Sequence, residues 1–321
     1  MTSRRITGRL SGEFGIGIAF VLEFILFALL SPYFFTPDNL LNVSLQASIT
    51  AIIAAGMTFV ILTGGIDLSV GSLVAFAGIV STTLLKTGLS PATGFIVAIV
   101  AGLAVGSLSG AFAGFCITRF NIAPFIVTLA TMTIWRGAAF VWTDGRPVWE
   151  LPEGFAFLGT GRVLAVPVPT IIMILTFVAS HIILTRTRFG RYVYAVGGNI
   201  EAARLAGIRT AGVLVRVYIL SGTLAALSGI LLASRMNSGQ PNAGLSYELD
   251  VIAAVVVGGS SLSGGAGSIV GTFIGAMLIA VLRNGLNLLN VNSYVQQVIV
   301  GVVILLAVML DQVRRRRKQL G

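Results

Sequence analysis

Residues 63–72 read TGGIDLSVGS and set a single carboxylate, Asp67, among glycines and serines between two long apolar runs. Irregular polar backbone is tolerated at membrane depth only where it is buried in protein or lines a watery cavity. An ionisable residue at that depth marks a path, a relay or a binding site. Two roles are open to Asp67. It lines a polar path, or it caps a broken helix whose first turn is 68–71, its carboxylate accepting from backbone N–H groups and complementing the helix dipole. Gly64, Gly65, Ser69 and Ser72 belong to the same break. A second run, GGSSLSGGAGS at 258–268, echoes the first and brings Gly258 and Gly259 into the candidate path. Paired glycine-broken segments in membrane proteins that move solutes point to the binding site. The two runs follow the second and eighth apolar segments, which is out of step with a five-plus-five inverted repeat.

Other chemistries lack their residues. A phosphate-cradling loop of the Walker type ends in Gly-Lys-Ser/Thr, but the only lysines are Lys86 and Lys318, and neither follows a glycine. With one histidine, His181, and one cysteine, Cys116, there is no metal-ligand or nucleophile–base set. Cys116 lies in an apolar run and packs as a small hydrophobe. The expectation is a chain that is not an enzyme and holds no cofactor or metal of its own.

The elements that must hold Asp67 follow from composition. Hydrophobic residues make up 56% of the 321 and charged ones only 10%, against about 25% charged in soluble domains. Mean hydropathy is +0.97. The fold class is therefore an all-α integral membrane protein, and the 39 glycines suit helices that approach closely in lipid. Spans of about 20 apolar residues are expected at 14–35, 45–62, 68–85, 93–117, 125–141, 168–184, 213–233, 251–259 with its flanks, 269–286 and 294–310. That makes about ten transmembrane helices in one domain, 14–310, between basic ends at 1–13 and 311–321. The first run is too long for a signal-peptide core and has no evident small-residue cleavage site, so it reads as a retained helix.

The net charge of +10 would raise nucleic acid as a partner for a soluble protein. Here the basic residues gather beside the apolar runs and address the membrane instead. With the N-terminus inside, the inner segments hold Arg4, Arg5 and Arg9, then Arg119, then Arg186, Arg188, Arg191, Arg204 and Arg209, then Arg314–Arg317 and Lys318. The outer side holds Lys86, Arg146, Arg162, Arg235 and Arg283. This asymmetry places both termini in the cytoplasm. Of the deeper charges, Arg216 and Arg283 are near enough to span ends to snorkel. Glu23 and Arg136 are expected to pair with each other or with Asp67, or to face the interior.

Two polar surfaces stand out. The outer loops, 142–166 and 235–250, carry Asp144, Arg146, Glu150, Glu153 and Arg162 with Trp142 and Trp149, then Gln240, Glu248 and Asp250. They are either a docking surface or ordinary solvated loops with interfacial tryptophans. On the inner side, 185–212 sets Arg186, Arg188 and Arg191 beside Phe189, Tyr192 and Tyr194, and then a short helical stretch, 200–206. Asn199 suits its N-cap and Gly207 its C′ position. The stretch offers Ala202, Leu205 and Ala206 as an apolar knob for a partner's groove, or else lies on the membrane surface.

Glu201, Ala202, Ala203 and, after three more residues, Gly207 resemble the EAA-x-x-x-G signature of permease subunits in ATP-binding-cassette importers. GMTFVILTGGIDLSVGS at 56–72, TRTRFGRYVYAVGGN at 185–199 and YELDVIAAVVVGG at 247–259 are similar to the branch that imports ribose and other monosaccharides. The similarity extends over essentially the whole chain. It implies a multi-pass protein of the bacterial inner membrane in which two copies of the permease form the path. A cytoplasmic ATP-binding subunit would dock on Glu201–Gly207, and a periplasmic sugar-binding protein would deliver the monosaccharide to the outer mouth. Two rival classes remain: an ion-coupled secondary transporter using Asp67, and a channel or membrane scaffold. The scarcity of other intramembrane carboxylates speaks against the first, and the EAA-like helix against both.

Overall fold

The computed structural model describes residues 3–320. The helices are α1 (Ser3–Leu30), α2 (Pro37–Leu62), α3 (Val70–Leu85), α4 (Pro91–Phe120), α5 (Pro124–Thr143), α6 (Phe157–Thr160), α7 (Val168–Arg186), α8 (Arg188–Gly198), α9 (Ile200–Leu205), α10 (Thr210–Met236), α11 (Tyr247–Val257), α12 (Ile269–Leu288) and α13 (Ser293–Leu320). A two-stranded antiparallel ribbon, β1 (Arg162–Val163) with β2 (Val166–Pro167), sits in the loop before α7. The ten expected apolar segments fall on α1–α5, α7 and α10–α13. Six of these helices, α2, α4, α5, α7, α10 and α12, are long and apolar enough to cross a membrane, and Gly15–Leu30, Val70–Leu85 and Ser293–Val303 are shorter apolar stretches. The eighth segment becomes α11, only 11 residues long. The side chains of the basic ends, 1–13 and 311–321, lie outside those described.

Local sequence sets the boundaries. Thr36 and Ser90 cap α2 and α4, each accepting from the backbone N–H three residues on at 3.4 Å, with proline at the first helical position. Asn121 and Asn237 end α4 and α10 in the left-handed conformation.

Packing follows the small residues. α2 is apolar all round and is enclosed from Ala47 to Leu62, with only Thr50 partly exposed. It is surrounded by α7, α10, α11 and α12. α4 lays Gly102, Gly106, Gly110 and Gly114, one per turn, against α10, where β-carbons would run into Ile230, Gly222, Tyr218 and Val215 in turn. Such a stripe lets two helices touch backbone to backbone. The opposite face of α4 leaves Leu108 70% and Phe112 52% exposed, which suits lipid.

α10 separates two ends of the molecule. At one, Arg235 lies against Gly159, and Lys86 donates to the Trp149 carbonyl at 3.0 Å. At the other, α8 packs against α2, α7 and α10, and α9 follows it. The 27 residues of α10 put these ends roughly 40 Å apart at about 1.5 Å per residue.

Candidate functional site

The first break lies between α2 and α3. Gly64 turns the chain at a φ of +78°, a conformation glycine adopts without steric cost. Asp67 is 2% exposed. One of its oxygens accepts from the backbone N–H of Ser69 at 3.0 Å and from the Ser69 hydroxyl at 2.6 Å. The other accepts from the hydroxyl of Ser221, on α10, at 2.8 Å. The Ser72 hydroxyl donates to the Ser69 carbonyl at 2.8 Å, and both serines are buried. The carboxylate thus ties the chain just before α3 to α10 with all its bonds inside the protein; α3 starts at Val70 with Ser69 at its N-cap, so Asp67 is not that helix's cap and 68–71 is not its first turn. Ser221 was not foreseeable, because a serine within an apolar helix carries no signal of what it faces. Glu23 and Arg136, candidates either to pair with each other or with Asp67 or to face the interior, do not pair with each other or with Asp67. Arg136 donates from Nη1 to the carbonyls of Pro241 and Ala243, each at 2.7 Å. Glu23 leaves its Oε2 buried with no hydrogen-bond partner among the described residues.

The stretch between α10 and α11, expected as an outer loop, enters the protein instead. After α10 the chain pairs Gly239 with Val148 through two backbone bonds of 2.8 and 3.0 Å. It then descends along α3. A β-carbon at Gly239 would collide with the Thr82 hydroxyl, and one at Gly71 would meet both the Gly244 carbonyl and the Glu248 carboxylate. Glu248, expected in an outer docking loop, therefore lies part-buried against the first turn of α3, far from the end where Arg235 meets Gly159. The cause is helix length: α11 is too short to reach the surface, so the chain before it must travel into the protein. Arg283 likewise does not snorkel. It donates to Asp250 at 2.6 Å, the Asp250 side chain being 12% exposed. Among the other expected docking residues, Asp144, Arg146, Glu150 and Glu153 are all exposed, with Glu150 reaching Lys86 at 3.5 Å.

At the end of the molecule that holds α8, three glycine-containing strands of chain meet. The Gly265 N–H donates to the Leu62 carbonyl at 2.9 Å. Gly197, near the end of α8, fits against both of those residues, and Gly264 packs on Gly64 and Gly197. The Tyr194 hydroxyl donates to the Gly267 carbonyl at 2.8 Å. Gly258 closes on Gly271 of α12, and Gly259 turns at a φ of +84°. The two echoing runs therefore touch one another and the same end of α8. That shared contact explains why both are rich in glycine, without any repeat.

α9 follows directly. Asn199 caps it, accepting from the Ala202 N–H at 2.9 Å. Gly207, with a φ of +80°, ends it, and the Ile208 N–H reaches back to the Ala203 carbonyl at 3.1 Å. Ala203 is buried, whereas Ala202, Ala206 and Leu205, which is 89% exposed, project outward. Glu201 pairs with Arg204 at 3.6 Å, and Arg186, Arg188 and Arg191 are exposed beside it.

Comparison with known proteins agrees in length and character. Residues 39–308 match the family model described as branched-chain amino acid transport system / permease component. The chain is 50% identical over 290 residues to the ribose import permease protein RbsC of Bacillus subtilis, covering 90% of this chain and 89% of that one. It is 48% identical over 298 residues to the protein of that name from Escherichia coli K12, with 92% of each chain covered. The L-arabinose ABC transporter permease protein AraH of Azospirillum brasilense is 39% identical over 305 residues, 95% of this chain and 89% of that one. No solved structure matches. With its membrane helices and its match over residues 39–308, the chain belongs to the branched-chain amino acid transport system / permease component family.

Proposed function

We propose that this chain is the membrane permease subunit of an ATP-binding-cassette importer that carries ribose or a related monosaccharide into the cell. The observation that carries the reading is the 50% identity, over 90% of the chain, to a ribose import permease. About ten transmembrane helices with both termini in the cytoplasm fit the charge asymmetry of the loops. Two copies enclose the path in a multi-pass protein of the bacterial inner membrane. ATP is bound and hydrolysed by a separate cytoplasmic subunit, and a periplasmic sugar-binding protein hands the sugar to the outer end.

α9 is the surface on which the ATPase acts. Its exposed knob of Ala202, Leu205 and Ala206 is small enough to seat in a groove, and its caps hold it rigid at both ends. Alternating access then follows as a shift between two states, each favoured by the ligand it binds better. The deciding experiment reconstitutes the permease with its ATPase and binding protein and follows labelled ribose, arabinose and xylose. ATP-dependent uptake of one of these pentoses is expected. Replacing Glu201 by Lys, or Gly207 by Val, is expected to abolish uptake while the permease still folds. Uphill uptake by the permease alone would overturn the reading.

A further inference from the structure

We propose that Asn242, Leu245, Ser246 and Leu249, on the chain that dips along α3 and enters α11, line the solute path in the middle of the membrane and contact the sugar directly. This deepens the permease reading and rests on it. The depth comes from α3. The dipping chain touches Thr82 at Gly239 and Gly71 at Gly244, a descent of roughly 16 Å along a helix that rises about 1.5 Å per residue. That is about half of a hydrocarbon core of some 30 Å.

Down to Ser246 the chain is not helical, and the face it shares with the first turn of α11 is open. Asn242 and Ser246 are exposed, with Leu245 61% and Leu249 55% exposed beside them. Exposed polar groups and unpaired backbone are not tolerated against lipid; at membrane depth they line water or lie within protein. The protein side of the segment is already satisfied. Arg136 takes the Pro241 and Ala243 carbonyls, and Asp250 takes Arg283. The face left over alternates amide, apolar, hydroxyl and apolar groups, with Glu248 behind it against Gly71. A neutral polyol has matching chemistry. Its hydroxyls bond to the amide and the hydroxyl, and its C–H face rests on the two leucines. The uncharged character of that open face keeps binding weak enough for release.

The test uses the chain's single cysteine. In a Cys116→Ala background, Asn242→Cys and Ser246→Cys are introduced one at a time in the complete importer, with Arg146→Cys as the exposed control and Leu108→Cys as the lipid-facing one. A membrane-impermeant thiol reagent is applied from each side, with and without trapped nucleotide. The expected result is labelling of at least one of the two path positions in one nucleotide state, none at Leu108→Cys, slower labelling in excess transported sugar, and loss of uptake once labelled. If neither position reacts from either side in either state while Arg146→Cys does, the face is covered by protein or lipid and the proposal fails. Labelling that leaves uptake unchanged also overturns it, since the water there would lie off the path. A wild-type complex that moves no sugar would sink the permease reading, whereas the labelling would still decide whether the face meets water.

Discussion

Asp67 shows how a buried charge can be structural. Its two oxygens receive three protein donors, Ser69 N–H, Ser69 Oγ and Ser221 Oγ. A carboxylate stripped of water is tolerated when its lone pairs are filled in this way. Asparagine in its place keeps one oxygen for the two Ser69 donors and turns its amide toward the Ser221 hydroxyl, which can accept. Asp67→Ala strands all three donors in the interior at a cost of about 1–3 kcal/mol for each left unsatisfied. The expected order of thermal stability in detergent is therefore wild type, then Asp67→Asn close behind, then Asp67→Ala well below. Transport is expected to follow the same order. An asparagine variant as dead as the alanine one would show that the charge itself is required.

At the scale of elements, the α8 end behaves as one joint. α8 ends on the carbonyl that also receives Gly265, so α2, α8 and the chain before α12 share one contact. α9 follows α8 directly, and α8 meets both glycine runs through backbone contacts at Gly197. Gly197→Ala puts a methyl group into the Leu62 carbonyl, whereas the neighbouring Gly198 has nothing within 4 Å of where a β-carbon would stand. Gly197→Ala is thus expected to lower sugar moved per ATP hydrolysed in proteoliposomes, and Gly198→Ala to leave that ratio unchanged. Equal ratios in both would separate the joint from coupling. Much of this architecture was legible in the chain: apolar length located the helices, and Asn199 and Gly207 announced both ends of α9. The joint was not, because Gly197 and Gly265 are 68 positions apart and neither run says what it will meet. Glu248 was misplaced for a related reason. Polar residues before a short apolar stretch read as a surface loop, and only the 11-residue length of α11 betrays the dip along α3.

At the scale of the whole molecule, the two ends carry different chemistry, and on the proposed reading each meets a different partner. One end offers α9, a capped helix with an apolar knob, while the other offers the exposed charges Asp144, Arg146, Glu150 and Glu153. Exposed charges are worth little individually, about 0–1 kcal/mol for a surface pair. Their summed field speeds encounter with a complementary partner and fades as salt shortens its reach to about 8 Å at physiological strength. Reversing Asp144, Arg146 and Glu153 together is therefore expected to raise the binding-protein concentration needed for half-maximal stimulation of the ATPase by about tenfold at low salt. The shift is expected to shrink at high salt, while ATP hydrolysis without the binding protein stays at its wild-type rate because α9 is untouched. A titration of ATPase activity against the binding protein at two ionic strengths reads all three quantities. An unchanged half-point at low salt would rule out these charges as the dock.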